Sequence, residues 1–221
     1  MTLAQYLNIR PGVTAFIGGG GKTTLLHTLG RGLAADHRVL LCTTTKIFPF
    51  TDLPLATTAE ELEKLAGEPL VCGGTPLPNG KLTALPIPMS ALAEQFDYVL
   101  VEADGSAGRP FKAHASHEPV IPPEADQTIC VVGASGFGKP IGEAAHRPEL
   151  YAALSGVSQE EPVTAEIVAA VLQKEQLHQR IYVNQAESET ALAAAHRLQE
   201  LLTCPVLAGS LWKGEYVPCW L

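Results

Sequence analysis

The residues best suited to chemistry lie in one stretch, Thr14 to Leu26, TAFIGGGGKTTLL. Gly18, Gly19, Gly20 and Gly21 carry no Cβ and reach φ > 0 readily, so successive N–H groups can turn inward on an anion. Lys22 supplies a cation for β- and γ-phosphates, and Thr23 a hydroxyl of the kind that ligates Mg²⁺. Thr24 is grouped with them as a nucleotide-binding residue. The β-branched and apolar run Val13 to Ile17 predicts a buried strand before the glycines, and apolar periodicity from Leu25 predicts a helix after them. The start of that helix adds unpaired N–H groups and the positive end of its dipole. Strand, glycine loop, Gly-Lys-Thr and helix is the layout of a phosphate-binding P-loop. The pattern departs from G-x-x-x-x-G-K-[ST] at one place, where Phe16 stands at the first glycine.

A second constellation is Tyr98 to Gly108, YVLVEADGSAG, four apolar residues running into Glu102. In a doubly wound sheet, ligands sit at the carboxyl ends of strands. This places Glu102 and Asp104 to hold Mg²⁺, directly or through water, or to orient an attacking water. Gly105 then offers an N–H to a γ-phosphate. Thr43-Thr44-Thr45-Lys46 ends the next predicted strand, RVLLCT. Its hydroxyls either complete a Mg²⁺ or phosphate shell or are β-branched strand residues passing into a loop. Asn184-Gln185-Ala186-Glu187 stands where guanine-specific GTPases carry Asn-Lys-x-Asp. It reads either as a base contact through Asn184 and Glu187 or as a strand-to-helix turn with an acid at the helix start. Arg109, Lys112, Lys139 and Arg147 follow strand ends and are candidate anion ligands or surface charges. His114 and His117 lie in a proline-flanked segment that is not expected to present both imidazoles to one metal.

Positioning these groups takes an α/β chain. Strands are expected at 38–43, 97–102, 128–133, 180–184 and 205–208, and helices at 23–35, 58–66 and 188–202. LVCGG and KLTAL flank an Asn79-Gly80 turn and predict a β-hairpin insertion between 69 and 85. The proline-rich stretch 103–126 predicts a long loop. Strands alternating with helices imply a mostly parallel, doubly wound, P-loop NTPase-like sheet, expected to fold as a single domain over 1–221. The net charge of −8 and pI near 5.3 argue against a nucleic-acid partner. No apolar run reaches the roughly 18 residues of a membrane span. The N-terminus has neither the basic nor the long apolar region of a signal peptide. Cys42, Cys72, Cys130, Cys204 and Cys219 are scattered, without a C-x-x-C pair. A reduced, cytoplasmic protein without structural zinc is expected.

FIGGGGKTTLL, TTTKIFP, VLVEADGSAGRPFKAH, HRPEL and VNQAE, in this order, resemble the YqeC family over nearly the whole chain. The resemblance implies a P-loop nucleotide-binding protein, accessory to the maturation of selenium-dependent molybdenum hydroxylases, also described as a selenium cofactor biosynthesis protein. More distantly, GGGGKTT with an acidic turn is similar to the signal-recognition-particle and MinD class of P-loop proteins. Ile17 stands at the signature lysine of MinD-like members, which argues against a lysine-exchanging dimer. The expected function is Mg²⁺-dependent binding of GTP or ATP, with hydrolysis or phosphoryl or nucleotidyl transfer. A molybdenum hydroxylase or its cofactor is the implied partner. The alternatives are a small-molecule kinase with an acceptor site in 103–126 and Lys139, and a nucleotide-gated chaperone with slow hydrolysis.

Overall fold

Runs of Val, Ile and Leu without polar alternation become strands buried on both faces, as parallel sheets require. The computed structural model describes residues 1–220. Within it the chain forms two compact units. The first comprises Met1–Phe16, Thr23–Gly105 and Val120–Thr128; the second comprises Ile17–Lys22, Ser106–Pro119 and Ile129–Leu221.

The elements up to Glu102 are α1 (Leu3–Tyr6), β1 (Gly12–Gly18), α2 (Lys22–Leu33), β2 (Val39–Thr43), β3 (Leu55–Ala56), α3 (Ala59–Lys64), β4 (Leu70–Gly73), β5 (Thr75–Pro76), β6 (Leu82–Thr83), α4 (Met89–Gln95) and β7 (Tyr98–Glu102). In the first unit β1, β7, β2, β4 and β3 pair successively in parallel. The register sets Phe16 and Thr43 on either side of Glu102. Val13, Leu40, Val71, Val99 and Val101 pack with Leu62, Leu92 and Phe96 into one buried cluster. Helix starts are fixed locally: the Thr2 hydroxyl accepts from Gln5 N–H, and that of Thr58 from Glu61 N–H.

The second unit contains β8 (Phe111–Lys112), the end of β9 (Ala125–Gly133), a 3₁₀ turn at Ala134–Gly136, α5 (Ile141–Ala144), β10 (Ala145–His146), α6 (Pro148–Ser155), α7 (Ala165–Glu175), β11 (Arg180–Asn184), α8 (Glu189–Leu201), β12 (Val206–Ser210) and β13 (Glu215–Pro218). Here β9, β11 and β12 are parallel, and β13 closes the edge antiparallel to β12. Thr164 and Ser188 cap α7 and α8 with their hydroxyls. Each unit is thus a mostly parallel sheet, the α/β class expected from the alternation of strands and helices.

Two segments differ from expectation. Leu70–Gly73 is not a hairpin arm but a fully buried parallel strand of the main sheet, its four residues apolar or small. The hairpin is confined to β5 and β6. The stretch 103–126 is not loop throughout: Phe111–Lys112 pairs in parallel with Ala145–His146, and β9 already begins at Ala125. Among the described residues, no helix is long and apolar enough to cross a membrane.

Leu40 is completely buried in the first unit's cluster. Leu40→Ala is expected to lower the unfolding free energy by about 2–5 kcal/mol, read from urea denaturation.

Candidate functional site

The glycine loop belongs to the second unit, where it is threaded between the ends of strands. Gly19 N–H donates to Val131 C=O at 2.9 Å, and Gly20 N–H to Arg109 C=O at 3.1 Å. Gly133 N–H donates to Pro110 C=O at 2.9 Å, tying the same segment to the end of β9. Gly20 has φ +80°, and a Cβ there would lie 2.3 Å from Gly133 Cα. At Gly21, with φ +119°, a Cβ would lie 2.5 Å from Asn184 Nδ2. The glycines are thus demanded twice, by backbone conformation and by close approach. Lys22 is buried, and its ammonium donates to Gly18 C=O at 2.6 Å. An anion in the loop would offer that ammonium a charged acceptor, which makes a stronger hydrogen bond than a carbonyl.

Asn184, at the end of β11, braces the loop. Its Nδ2 donates to Gly20 C=O at 2.8 Å, while its Oδ1 accepts from Leu211 N–H and from the Tyr182 hydroxyl, each at 3.4 Å. Burial pushes the Tyr182 phenol up, so it stays a neutral donor. Glu187, three residues on, is exposed.

The first unit carries the oxygen donors. Helix α2 presents the Thr23 hydroxyl to Glu102, donating to Oε2 at 2.7 Å. Glu102 is nearly buried and Asp104 wholly so. The donors here, a hydroxyl and two carboxylates, are hard oxygen throughout, the kind that Mg²⁺ takes. The hydroxyls of Thr43 and Thr44 do structural work instead. Thr43 donates to Glu102 C=O at 2.8 Å and Thr44 to Val120 C=O at 2.6 Å. Thr24 is exposed and, with Thr23, His27, Phe50 and Asp52, lines an open cleft of about 310 Å³. That cleft is held by His27 stacked on Phe50 and by Asp52, which accepts from His27 Nε2 at 2.9 Å and from Arg31.

The basic candidates mostly have other employment. Lys112, with its side chain fully buried, pairs with Glu118 at 3.1 Å, and Arg147 pairs with the same carboxylate at 2.8 Å. Burial pushes the Glu118 carboxyl up, but Lys112 and Arg147 together hold it below its usual range. The Arg109 guanidinium is taken by Glu143 C=O. Lys139 is exposed. His114 is bound to Glu175 by both its backbone N–H and its ring. No cluster of His, Cys, Asp or Glu that could hold a metal ion occurs among the described residues. Among the described residues no cysteine is in a disulfide, and burial pushes Cys42 up to about 12. Sequence reasoning missed the bracing role of Asn184 and the docking of Asp52 on α2. Neither has a local signal, since each depends on a partner at least 21 residues away.

A strand, a glycine loop and a helix opening on Lys-Thr-Thr, with a parallel neighbour strand that ends at Glu102 and is followed by Ala-Asp, define a P-loop NTPase-like α/β protein. The family model described as YqeC protein matches residues 14–149, and the chain belongs to that family. It is 30% identical over 235 residues to the uncharacterized protein YqeC of Escherichia coli strain K12, covering 93% of this chain and 88% of that one. Among solved structures it is similar to the signal recognition particle 54 kDa protein of Aeropyrum pernix K1 in complex with GDP. That match has a TM-score of 0.41 and 16% identity; it covers 95% of this chain and 44% of that one, so this chain spans less than half of that protein. HypB of Helicobacter pylori in complex with nickel matches with a TM-score of 0.41 and 10% identity, over 95% of this chain and 83% of that one.

Gly20→Ala is expected to lower the unfolding free energy by about 2 kcal/mol or more, from strain at positive φ and collision with Gly133. A Cβ at Gly105 meets nothing within 4 Å, so Gly105→Ala should change stability by no more than about 0.5 kcal/mol in the same urea experiment. A second expectation concerns acid. The folded pKa of Glu118 lies below its ordinary 4.5, so its contribution to stability is complete above that value and is lost as pH falls through the lower folded value. Glu118→Gln should therefore flatten the loss of stability below about pH 4.5, measured by urea midpoints across pH.

Proposed function

We propose that this chain binds GTP or ATP together with Mg²⁺ and hydrolyses it or transfers its phosphoryl or nucleotidyl group. The observation that carries the reading is the 2.7 Å hydrogen bond from Thr23 to Glu102, with Thr23 directly following Lys22 and the four glycines. In this reading the glycine loop and Lys22 hold the phosphates. Thr23 and Glu102 hold the metal, and Asp104 assists them or orients the attacking water. Mg²⁺ supplies charge neutralisation of the phosphoryl group being transferred. Thr24 adds a donor in the first turn of α2, and Asn184 and Glu187 face the base. The family resemblance supports a role in maturing a selenium- or molybdenum-containing hydroxylase or its cofactor, by a single P-loop domain acting in the cytoplasm.

One observation favours a kinase-like variant of the same chemistry. An apolar cleft of about 290 Å³ opens in the first unit, lined by Cys42, Thr43, Leu85, Met89, Val120 and Ile121 among others. Its wall is bonded to the Glu102 carbonyl through Thr43. A cleft of that size suits a small acceptor molecule.

The test is a titration of the purified protein with GTP and with ATP, with and without Mg²⁺. Binding should depend on Mg²⁺ and weaken by about 10-fold or more in Lys22→Ala, the loss of a charge-assisted hydrogen bond. Glu102→Gln should abolish the Mg²⁺ dependence while leaving metal-free binding intact. Phosphate release without any acceptor would favour hydrolysis, whereas nucleotide consumption only when an acceptor is added would favour the kinase variant. Unchanged affinity in Lys22→Ala would overturn the reading.

A further inference from the structure

The nucleotide reading leaves the base without a stacking partner. The second unit offers one. β9, β11 and β12 are parallel neighbours, so Gly133, Asn184 and the residues after Ser210 emerge at one edge of the sheet. At that edge Asn184 is bonded to the phosphate loop through Gly20 C=O and to the turn after β12 through Leu211 N–H. The residue after Leu211 is Trp212, which is 95% exposed.

An indole left almost wholly in water forgoes the burial that usually decides where tryptophan sits; such side chains bury 150–250 Å² when covered. Yet the turn that carries it is ordered. Lys213 N–H donates to Ser210 Oγ at 3.1 Å and Gly214 N–H to Ser210 C=O at 2.9 Å, with Ser210 itself buried and Gly214 at φ +68°. The neighbouring turn is tied to the same strand, since Ala186 N–H donates to Gly209 C=O at 3.0 Å. A fixed backbone therefore presents a free aromatic ring one residue beyond the atom that contacts Asn184. The ligand this suits is planar and aromatic, attached to a group held at the glycine loop.

We propose that Trp212 is the stacking platform for the base of the nucleotide held at the glycine loop, an assignment that rests on the nucleotide reading above. Base–aromatic stacking tolerates any base, so Trp212 supplies affinity for the base as a class.

The test uses the full chain and separates the base from the phosphates. The chain has two tryptophans, Trp212 and Trp220, so Trp220→Phe leaves Trp212 as the sole indole emitter. In that variant GTP and ATP with Mg²⁺ should quench or shift the emission, whereas inorganic tripolyphosphate with Mg²⁺ should not. By calorimetry, Trp212→Ala should weaken nucleotide binding by about 5-fold or more, leave tripolyphosphate affinity unchanged, and be largely rescued by Trp212→Phe. Equal nucleotide affinity in wild type and Trp212→Ala overturns the platform while leaving the nucleotide site standing. Equal losses for nucleotide and tripolyphosphate also overturn it, because they mark a structural effect on the loop. Failure of the wild type to bind either compound removes the nucleotide reading and the platform with it.

Discussion

Most of the second unit is arranged around one close approach: the glycine loop runs against the end of β9 with no room for a single Cβ. Gly20 lies against Gly133, and Gly21 against the Asn184 amide. The carbonyl of Gly20 is bound by Asn184, and its N–H by the Arg109 carbonyl. Buried backbone groups must find partners, and here the partners come from segments remote in sequence. Arg109 and Pro110 act through their main chain, where any residue would serve, while position 184 needs an amide side chain that donates with one atom and accepts with another. This difference decides which positions can vary without disturbing the loop.

The same hydrogen bonds define the state in which the loop rests. Two of its N–H groups already serve protein carbonyls, and the Lys22 ammonium serves the loop's own Gly18 carbonyl. An anion drawing on the Gly20 N–H competes with Arg109, and so with the segment that leads to Lys112 and Glu118. That segment is anchored by a buried ion pair, and Arg147 draws α6 onto the same carboxylate. Buried pairs contribute little net stability but are strongly destabilising to break on one side. The segment is therefore positioned by charge at one end and by loop hydrogen bonds at the other.

The glycine loop between strand and helix was legible in the sequence because its signal is local. Glycines, a lysine and two threonines follow one another, and each has a physical reason to be there. The strand that ends at Glu102 was legible for a similar reason, as an unbroken apolar run. Leu70–Gly73 misled because an Asn-Gly turn nearby suggested a hairpin, although a four-residue apolar run fits a buried parallel strand just as well. Lys112 and Arg147 read as free cations because the carboxylate that neutralises both, Glu118, lies in a proline-rich stretch with no periodicity to place it. Asn184 was noticed for a resemblance to a base-reading motif, whereas its hydrogen bonds go to the loop carbonyl and to Leu211. Trp212 gave no signal at all: an aromatic in a late turn stands out only once its exposure and its neighbour in space are known.

In the first unit the link between the acidic turn at Glu102 and a cleft is equally direct. The Glu102 carbonyl accepts from both the Thr43 hydroxyl and Thr44 N–H, and Thr44 reaches on to Val120 C=O. Val120 N–H in turn donates to Ala103 C=O, the residue between Glu102 and Asp104. Thr43, Thr44 and Val120 all line the apolar cleft. The cleft wall and the acidic turn therefore share one hydrogen-bonded ring. Thr43, Thr44 and Val120 thus join the cleft wall to the acidic turn through backbone carbonyls that no side-chain motif records.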